Sequence, residues 1–287
     1  MTPLLGPLGS RLLDRWSALI ALPGVLFVVA GVLGVVQGHR HALDLQMLAE
    51  WARAEDWDTA GGVVLIASLA LAATGAGVVA QLLGVGQLLW WLGSWPRPAR
   101  AWSAWRTDRR RQRWTQAQAE FVRALEDPDP AEAARLGARR NALARAEPSR
   151  PTWTGDRVAG VQIRVRNAYG LDLPTVWPRL WLVLPEHPCA EIRAARARID
   201  QAAVISAWGL MSGVLGLIWW PAALVGAVTW VVGWVTARQA VDGYAELVES
   251  AVDLYGGSLA TSLGIEVTGP LTPETGRAVT RRVRKGA

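Results

Sequence analysis

Three stretches of the chain carry no Asp, Glu, Lys or Arg: Trp16–His39, Thr59–Pro96 and Gln201–Ala237. A bilayer core about 30 Å thick needs roughly 20 apolar helical residues. The first stretch therefore predicts a span over residues 16–37, with Pro23 as its kink point. The second predicts a span over 61–83. Its apolar character continues through residues 84–95, where Trp90, Trp91 and Trp95 suit the inner membrane interface. The third stretch is long enough for two spans. Trp219, Trp220 and Pro221 lie near its centre; Pro fits the first turn of a helix and breaks its interior, and paired Trp mark an interface. This predicts antiparallel spans at 203–219 and 222–237, joined by a tight turn at the outer surface. A single re-entrant hairpin is the alternative.

The polar segments read as shorter helices. Residues 97–126 form a basic helix bearing Trp102 and Trp105, either binding headgroups or simply solvated. The DPDP run at 127–130 breaks it, and Pro148 and Pro151 close a second helix over 131–146. Further on, Val158, Val161, Val165 and Tyr169 share one helical face. Val161, Ile163 and Val165 also alternate as in a strand, but a helix capped by a left-handed Gly170 is favoured. Pro174, Pro178 and Pro185 then allow only short helical pieces. Trp177, Leu180, Trp181 and Leu184 make an apolar surface that needs cover from lipid or from the inner end of a bundle. Arg179, between the two Trp, either contacts a lipid phosphate or snorkels. Trp177, Arg179 and Trp181, with Trp219 and Trp220, are thus the candidate lipid-interface residues.

Charge sets a direction. Two arginines precede the first span, and the loop at 38–60 has two against five acids. The stretch 94–200 holds twenty basic residues and the segment from 238 holds six. Basic residues stay in the cytoplasm, so both termini and the middle region are expected inside. The formal charge of +6 then points to orientation and to anionic headgroups rather than to nucleic acid. Arg11 and Arg15 precede an apolar run as in a signal peptide, but its length and the lack of a clear cleavage site favour a retained span. Seventeen Trp against two Phe fit a membrane interface, where the ring is buried and the N–H stays wet.

The hairpin register carries a second prediction. With its turn at Trp220, Arg198 falls near Asp242, Asp200 near Arg238, and Arg193 near Glu246. Asp242, Glu246, Glu249 and Asp253 form one stripe of a helix. Spans three and four are therefore expected to continue as a salt-bridged hairpin over about 188–256. Small residues four apart, such as Ala72, Ala76, Ala80 and Gly84, or Gly209 and Gly213, let helices approach closely. They serve internal packing or self-association. The acidic stripe and the set His39, His41 and Asp44 are weak metal candidates. His187 with Cys189 is a weak nucleophile pair. Each has a plainer structural reading. No catalytic, cofactor or metal site is assigned, and no span holds a buried charge of the kind coupled transporters need.

The segments PTWTGD, AYGLDL, WPRLW, YAELVESAVDLYG and LTPETGRAVTRRVRKG, over roughly residues 151–286, resemble a widespread uncharacterised family of bacterial integral membrane proteins. Asp156 stands where that pattern has Asn, and Asn167-Ala168 precedes Tyr169 where it has Arg. The resemblance implies a multi-pass protein of the bacterial inner membrane and no particular activity.

The expectation is an all-α polytopic protein with four transmembrane helices and a cytoplasmic helical region. Its parts are an N-terminal helical pair over 1–96, an Arg-rich region over 97–200, a hairpin over 201–256 and a basic tail over 257–287. The expected role is a non-enzymatic scaffold or regulatory subunit that docks a protein partner. A homo-oligomeric pore is the alternative, and an enzyme of lipid-linked substrates ranks below both.

Overall fold

A computed structural model describes residues 22–44, 46–47, 50, 53, 60–126, 129–267 and 269–284. Residues 16–21 of the first predicted span, Arg11, Arg15, Lys285 and most of the loop 45–59 lie outside them. Among the described residues all regular structure is helical: α1 Leu22–Gln37, α2 Ala60–Trp91, a 3-10 turn Arg97–Ala99, α3 Arg100–Leu125, α4 Pro130–Leu143, α5 Trp153–Tyr169, α6 Leu173–Val183, α7 Glu186–Leu215, α8 Trp220–Ser262 and α9 Pro273–Arg284. The chain divides into two compact units. One combines residues up to Leu88 with Asp200–Ala237; the other combines Leu89–Ile199 with the chain from Arg238 onward. The N-terminal pair and the hairpin, separate segments in the sequence, thus form one body. The basic C-terminal segment folds with the middle region.

Among the described residues two helices are long and apolar enough to cross a membrane, α2 from Gly61 and α8. Only 17% and 22% of their most apolar windows are buried, so their aliphatic side chains point outward, unlike those of a core helix in a soluble protein. Four crossings were expected. The described part of α1 has 16 residues, and α7 is uncharged only from Gln201 to its end at Leu215, so among the described residues two candidate crossings stand where four were expected. α2 also departs from its predicted end at Leu83. No Pro interrupts it, and it runs unbroken to Trp91. It stops where Gly93 takes φ 75°, a conformation that favours glycine. The Ser94 N–H then reaches back to the Leu89 carbonyl at 3.0 Å.

The hairpin keeps the predicted turn. α7 ends at Leu215 and α8 begins at Trp220, with Pro221 in its first turn. Backbones meet at small residues: a Cβ added at Gly216 would strike Ala223, at Gly226 it would strike Gly213, and at Gly233 it would strike Ser206. The positions fall along one helix as they rise along the other, so this is an antiparallel pair in constant register. The small-residue stripes of α7 and α8 are therefore consumed within one chain. Elsewhere in this unit, Gly24 lies against Ala73, Gly84 against Val204, and Phe27 against Trp208. The Trp219 indole donates to the Ala42 carbonyl at 2.9 Å, and His39 Nε2 sits 2.8 Å from the Leu217 carbonyl. Those two bonds pin the loop after α1 to the hairpin turn.

The second unit has its own core, in which Val161, Val165, Val176, Leu180, Ile192, Val252, Leu259 and Val279 are all buried. α5 is helical as expected. Thr152 caps it by accepting from the Gly155 N–H, and Gly170 ends it at φ 64°. α6 is less broken than its prolines suggested. Pro174 occupies its first turn, and the helix continues through Pro178 to Val183, burying Leu173, Val176 and Leu180. That burial offsets the backbone hydrogen bond that Pro178 cannot donate. Asp129 caps α4 by accepting from the Ala131 and Glu132 N–H groups. α4 folds back on α3, with Gly137 against Phe121 and the Arg140 guanidinium 4.7 Å from the centre of that ring.

Candidate functional site

Polar chemistry in the second unit centres on the contact of α5 with the half of α8 that begins at Arg238. The acidic stripe of α8 is engaged along its whole length. Arg157 donates to the Asp242 carboxylate and lies 3.6 Å from Glu246. Arg145 reaches Glu246 at 3.0 Å and Asp242 at 3.5 Å. Arg164 grips Glu249 with Nε at 2.6 Å and with Nη2. The Tyr169 hydroxyl donates to Asp253 at 2.9 Å. Arg157 and Arg164 each meet an acid 85 positions later, and Tyr169 meets one 84 later. A constant offset means that the two helices run in parallel, and the seven-residue step from Arg157 to Arg164 returns the same helical face toward α8. Arg164's hydrogen bonds hold the Glu249 carboxyl below its ordinary pKa. The bond to Asp253 pushes the Tyr169 phenol up.

These partners differ from the predicted ones. Asp242 and Glu246 bind Arg157 and Arg145, where Arg198 and Arg193 were expected. The buried face of α7 in this unit is Ile192, Ala195 and Ile199. Arg193 and Arg198 each sit one position from that face and are exposed. The face that α7 turns to the core of this unit is thus aliphatic, with the two arginines beside it. Asp200 and Arg238 fall in different units. Arg238 has its guanidinium 4.4 Å from the centre of the Trp153 ring.

Two further nodes tie the unit together. Asp156, 6% exposed, accepts from the backbone N–H groups of Ser149 and Arg150, both at 2.7 Å, and from Arg110 at 2.9 and 2.8 Å. Burial is the strongest influence on its carboxyl and raises its pKa, although Arg110 and the two N–H groups pull the other way. Asp172 accepts from Thr175 at 2.6 Å, Arg284 at 2.8 Å and Arg166 at 3.1 Å. Thr175 and then Arg284 hold it down to about 2. Arg284 belongs to α9, whose Val279 and Val283 enter the core, so the basic C-terminal segment is anchored rather than loose through that residue.

The predicted lipid-interface residues separate. Trp177 and Trp181 are half-buried and face each other at 5.8 Å. Arg179 is exposed, and its Nη1 donates to the Thr175 carbonyl of its own helix at 3.1 Å. In the first unit, Trp220 remains 42% exposed while Trp219 is tied to Ala42. The weak chemical candidates do not assemble. His39 is occupied by Leu217, and His41 lies 3.9 Å from Asp44. Cys189 is buried against the Trp181 and Leu184 carbonyls while His187 is exposed.

The sequence did not reveal an aromatic stack that follows α2. Trp90, Trp95 and Trp102 pile up at 4.7 and 4.5 Å, and Arg106 lies over Trp95 and Trp102. Nor did it reveal two depressions of the second unit. One is an apolar groove of about 210 Å³ walled by Val158, Gln162, Trp177, Pro178, Tyr244 and Val248. The other, of about 280 Å³, is lined by Asn141, Arg145, Trp153, Arg157, Arg238 and Asp242. Comparison with protein-family models, with curated proteins and with solved structures finds no match.

Proposed function

We propose that the chain is a four-span protein of the bacterial inner membrane, with both termini in the cytoplasm, serving as a non-enzymatic scaffold or regulatory subunit. The family resemblance over residues 151–286 and the distribution of arginines support that placement. The observation that carries the functional reading is the engagement of the acidic stripe. All four carboxylates of α8 that could have served chemistry are bonded to Arg145, Arg157, Arg164 and Tyr169. They brace two helices. The groove beside Trp177 and Tyr244 then supplies apolar surface for a helix of a protein partner.

The competing pore reading needs small-residue faces free to meet other copies. Those of α7 and α8 are occupied by each other. The deciding experiment is the mass of the native particle in lipid nanodiscs, with identification of whatever co-purifies. A stoichiometric foreign protein lost on Trp177→Ala supports the scaffold. A closed ring of this chain alone replaces it with the pore, and ion flux in proteoliposomes becomes the next measurement. A lone monomer with no partner overturns both.

A further inference from the structure

The depression between the end of α4, the start of α5 and α8 has an unusual wall. Three guanidinium groups, those of Arg145, Arg157 and Arg238, line it with a single carboxylate, Asp242. Glu246, bonded to Arg145 and near Arg157, brings the second negative charge. Trp153 forms the apolar side and holds the Arg238 guanidinium over its ring, and Asn141 adds an amide.

Arg157 is the telling residue. It is 4% exposed, so its charge is out of water. Its Nε and Nη2 are used on Asp242, but Nη1 is buried and has no partner among the described residues. A buried donor on a charged group is costly to leave unmade. An arginine fork matches the paired oxygens of a phosphate or carboxylate.

We propose that this depression is a binding site for one phosphate-type oxyanion, either a phospholipid headgroup or a soluble phosphate. The anion accepts from Arg157, with Arg145 at the open rim and Arg238 on the opposite wall, while Trp153 shields one side. The cavity exceeds the size of a lone phosphate, which leaves room for the group that carries it. Arg238 is the first charge after the uncharged run that ends at Ala237, and this puts the site at the depth of headgroups if α8 crosses a bilayer. The phosphate chemistry itself does not rest on the scaffold reading.

The test uses the full chain in nanodiscs of phosphatidylcholine alone and of phosphatidylcholine with phosphatidylglycerol. Inorganic phosphate is titrated against chloride at matched ionic strength, and lipids retained after extraction are counted by native mass spectrometry. Arg145→Gln and Arg238→Gln are the variants, because neither removes the Arg157 pair that holds α5 to α8. Each is expected to weaken binding roughly tenfold, the loss of one charge-assisted hydrogen bond, with the helical circular-dichroism signal in phosphatidylcholine retained. One phosphatidylglycerol retained per chain, not displaced by phosphate, identifies a headgroup site. Saturable phosphate binding in phosphatidylcholine alone identifies a soluble ligand. Failure to prefer either anion over chloride, or binding undiminished in both variants, overturns the site. Loss of a protein partner with anion binding intact would instead count against the scaffold reading alone.

Discussion

The two units hold themselves together by opposite means. In the hairpin of the first, helices touch backbone to backbone through Gly209, Gly213, Gly226 and Gly233, and the segment from Gln201 to Ala237 contains no charge. In the second, arginines reach across from α5 to α8 and from α9 to Asp172, and aliphatic side chains fill the space between. A lipid surround for the first unit, as proposed above, accounts for the contrast. Apolar burial gains little where the surroundings are already hydrocarbon, so close van der Waals contact must hold the helices. Where water surrounds the protein, apolar burial supplies the driving force and ion pairs fix which helix faces which.

The sharpest way to break the second unit is to remove its most buried cation. Arg157→Ala leaves Asp242 without its main partner and opens space beside Trp153. A loss of about 3 kcal/mol is expected, from an ion pair buried on the arginine side only and from the packing lost with that long side chain. Chemical denaturation followed by tryptophan fluorescence measures it, and contacts within the hairpin should survive. Next in size, Gly209→Val drives a branched side chain into the backbone of Trp230. About 2–3 kcal/mol of overpacking is expected, read by cross-linking of cysteines placed on α7 and α8. Gly213→Ala, in the same stripe but with nothing near its added methyl, should be silent. An equal effect from both would discard the observed register.

Asp156→Asn separates burial from charge. The amide oxygen can still accept from Ser149 and Arg150, but its NH2 then faces Arg110. We expect a loss of about 1–2 kcal/mol in thermal unfolding; a gain would mean that relief of the buried charge outweighs the Arg110 bond. The smallest effect is a pH response. Asp172 has a folded pKa of about 2, depressed from 3.8. Below 3.8 an unfolded chain takes up the proton more readily, so this contribution is present above that pH and is lost as pH falls toward 2. Hydrogen exchange should show α9 loosening across that interval, while the uncharged hairpin stays protected.

Features decided by neighbouring residues were readable from the sequence. Gly170 ends α5, the DPDP run separates α3 from α4 with Asp129 as the new cap, and Trp219-Trp220-Pro221 turns the hairpin. Longer reach was not. Nothing local to Arg157 announces a partner 85 positions away, because the match depends on two helices running in parallel at one offset. The acidic stripe was visible, but its partners were sought on the nearer helix, whose buried positions are Ile192 and Ile199 instead of the adjacent arginines. The arginine-lined depression needs three segments brought together by the same packing, so it had no sequence signature at all.

The anchoring of α9 also sets a timetable. The Asp172 N–H bonds to Thr280, 108 positions later, and its carboxylate bonds to Arg284, 112 positions later. Chains emerge from the ribosome at roughly 5–20 residues per second, so Asp172 waits on the order of 5–20 s for those partners. The entire hairpin must be made in the meantime. During that interval Leu171 and Val176, both buried in the finished fold, lack part of their cover. Synthesis of the hairpin therefore precedes closure of the second unit, and a stall at that stage leaves an aliphatic surface open to aggregation.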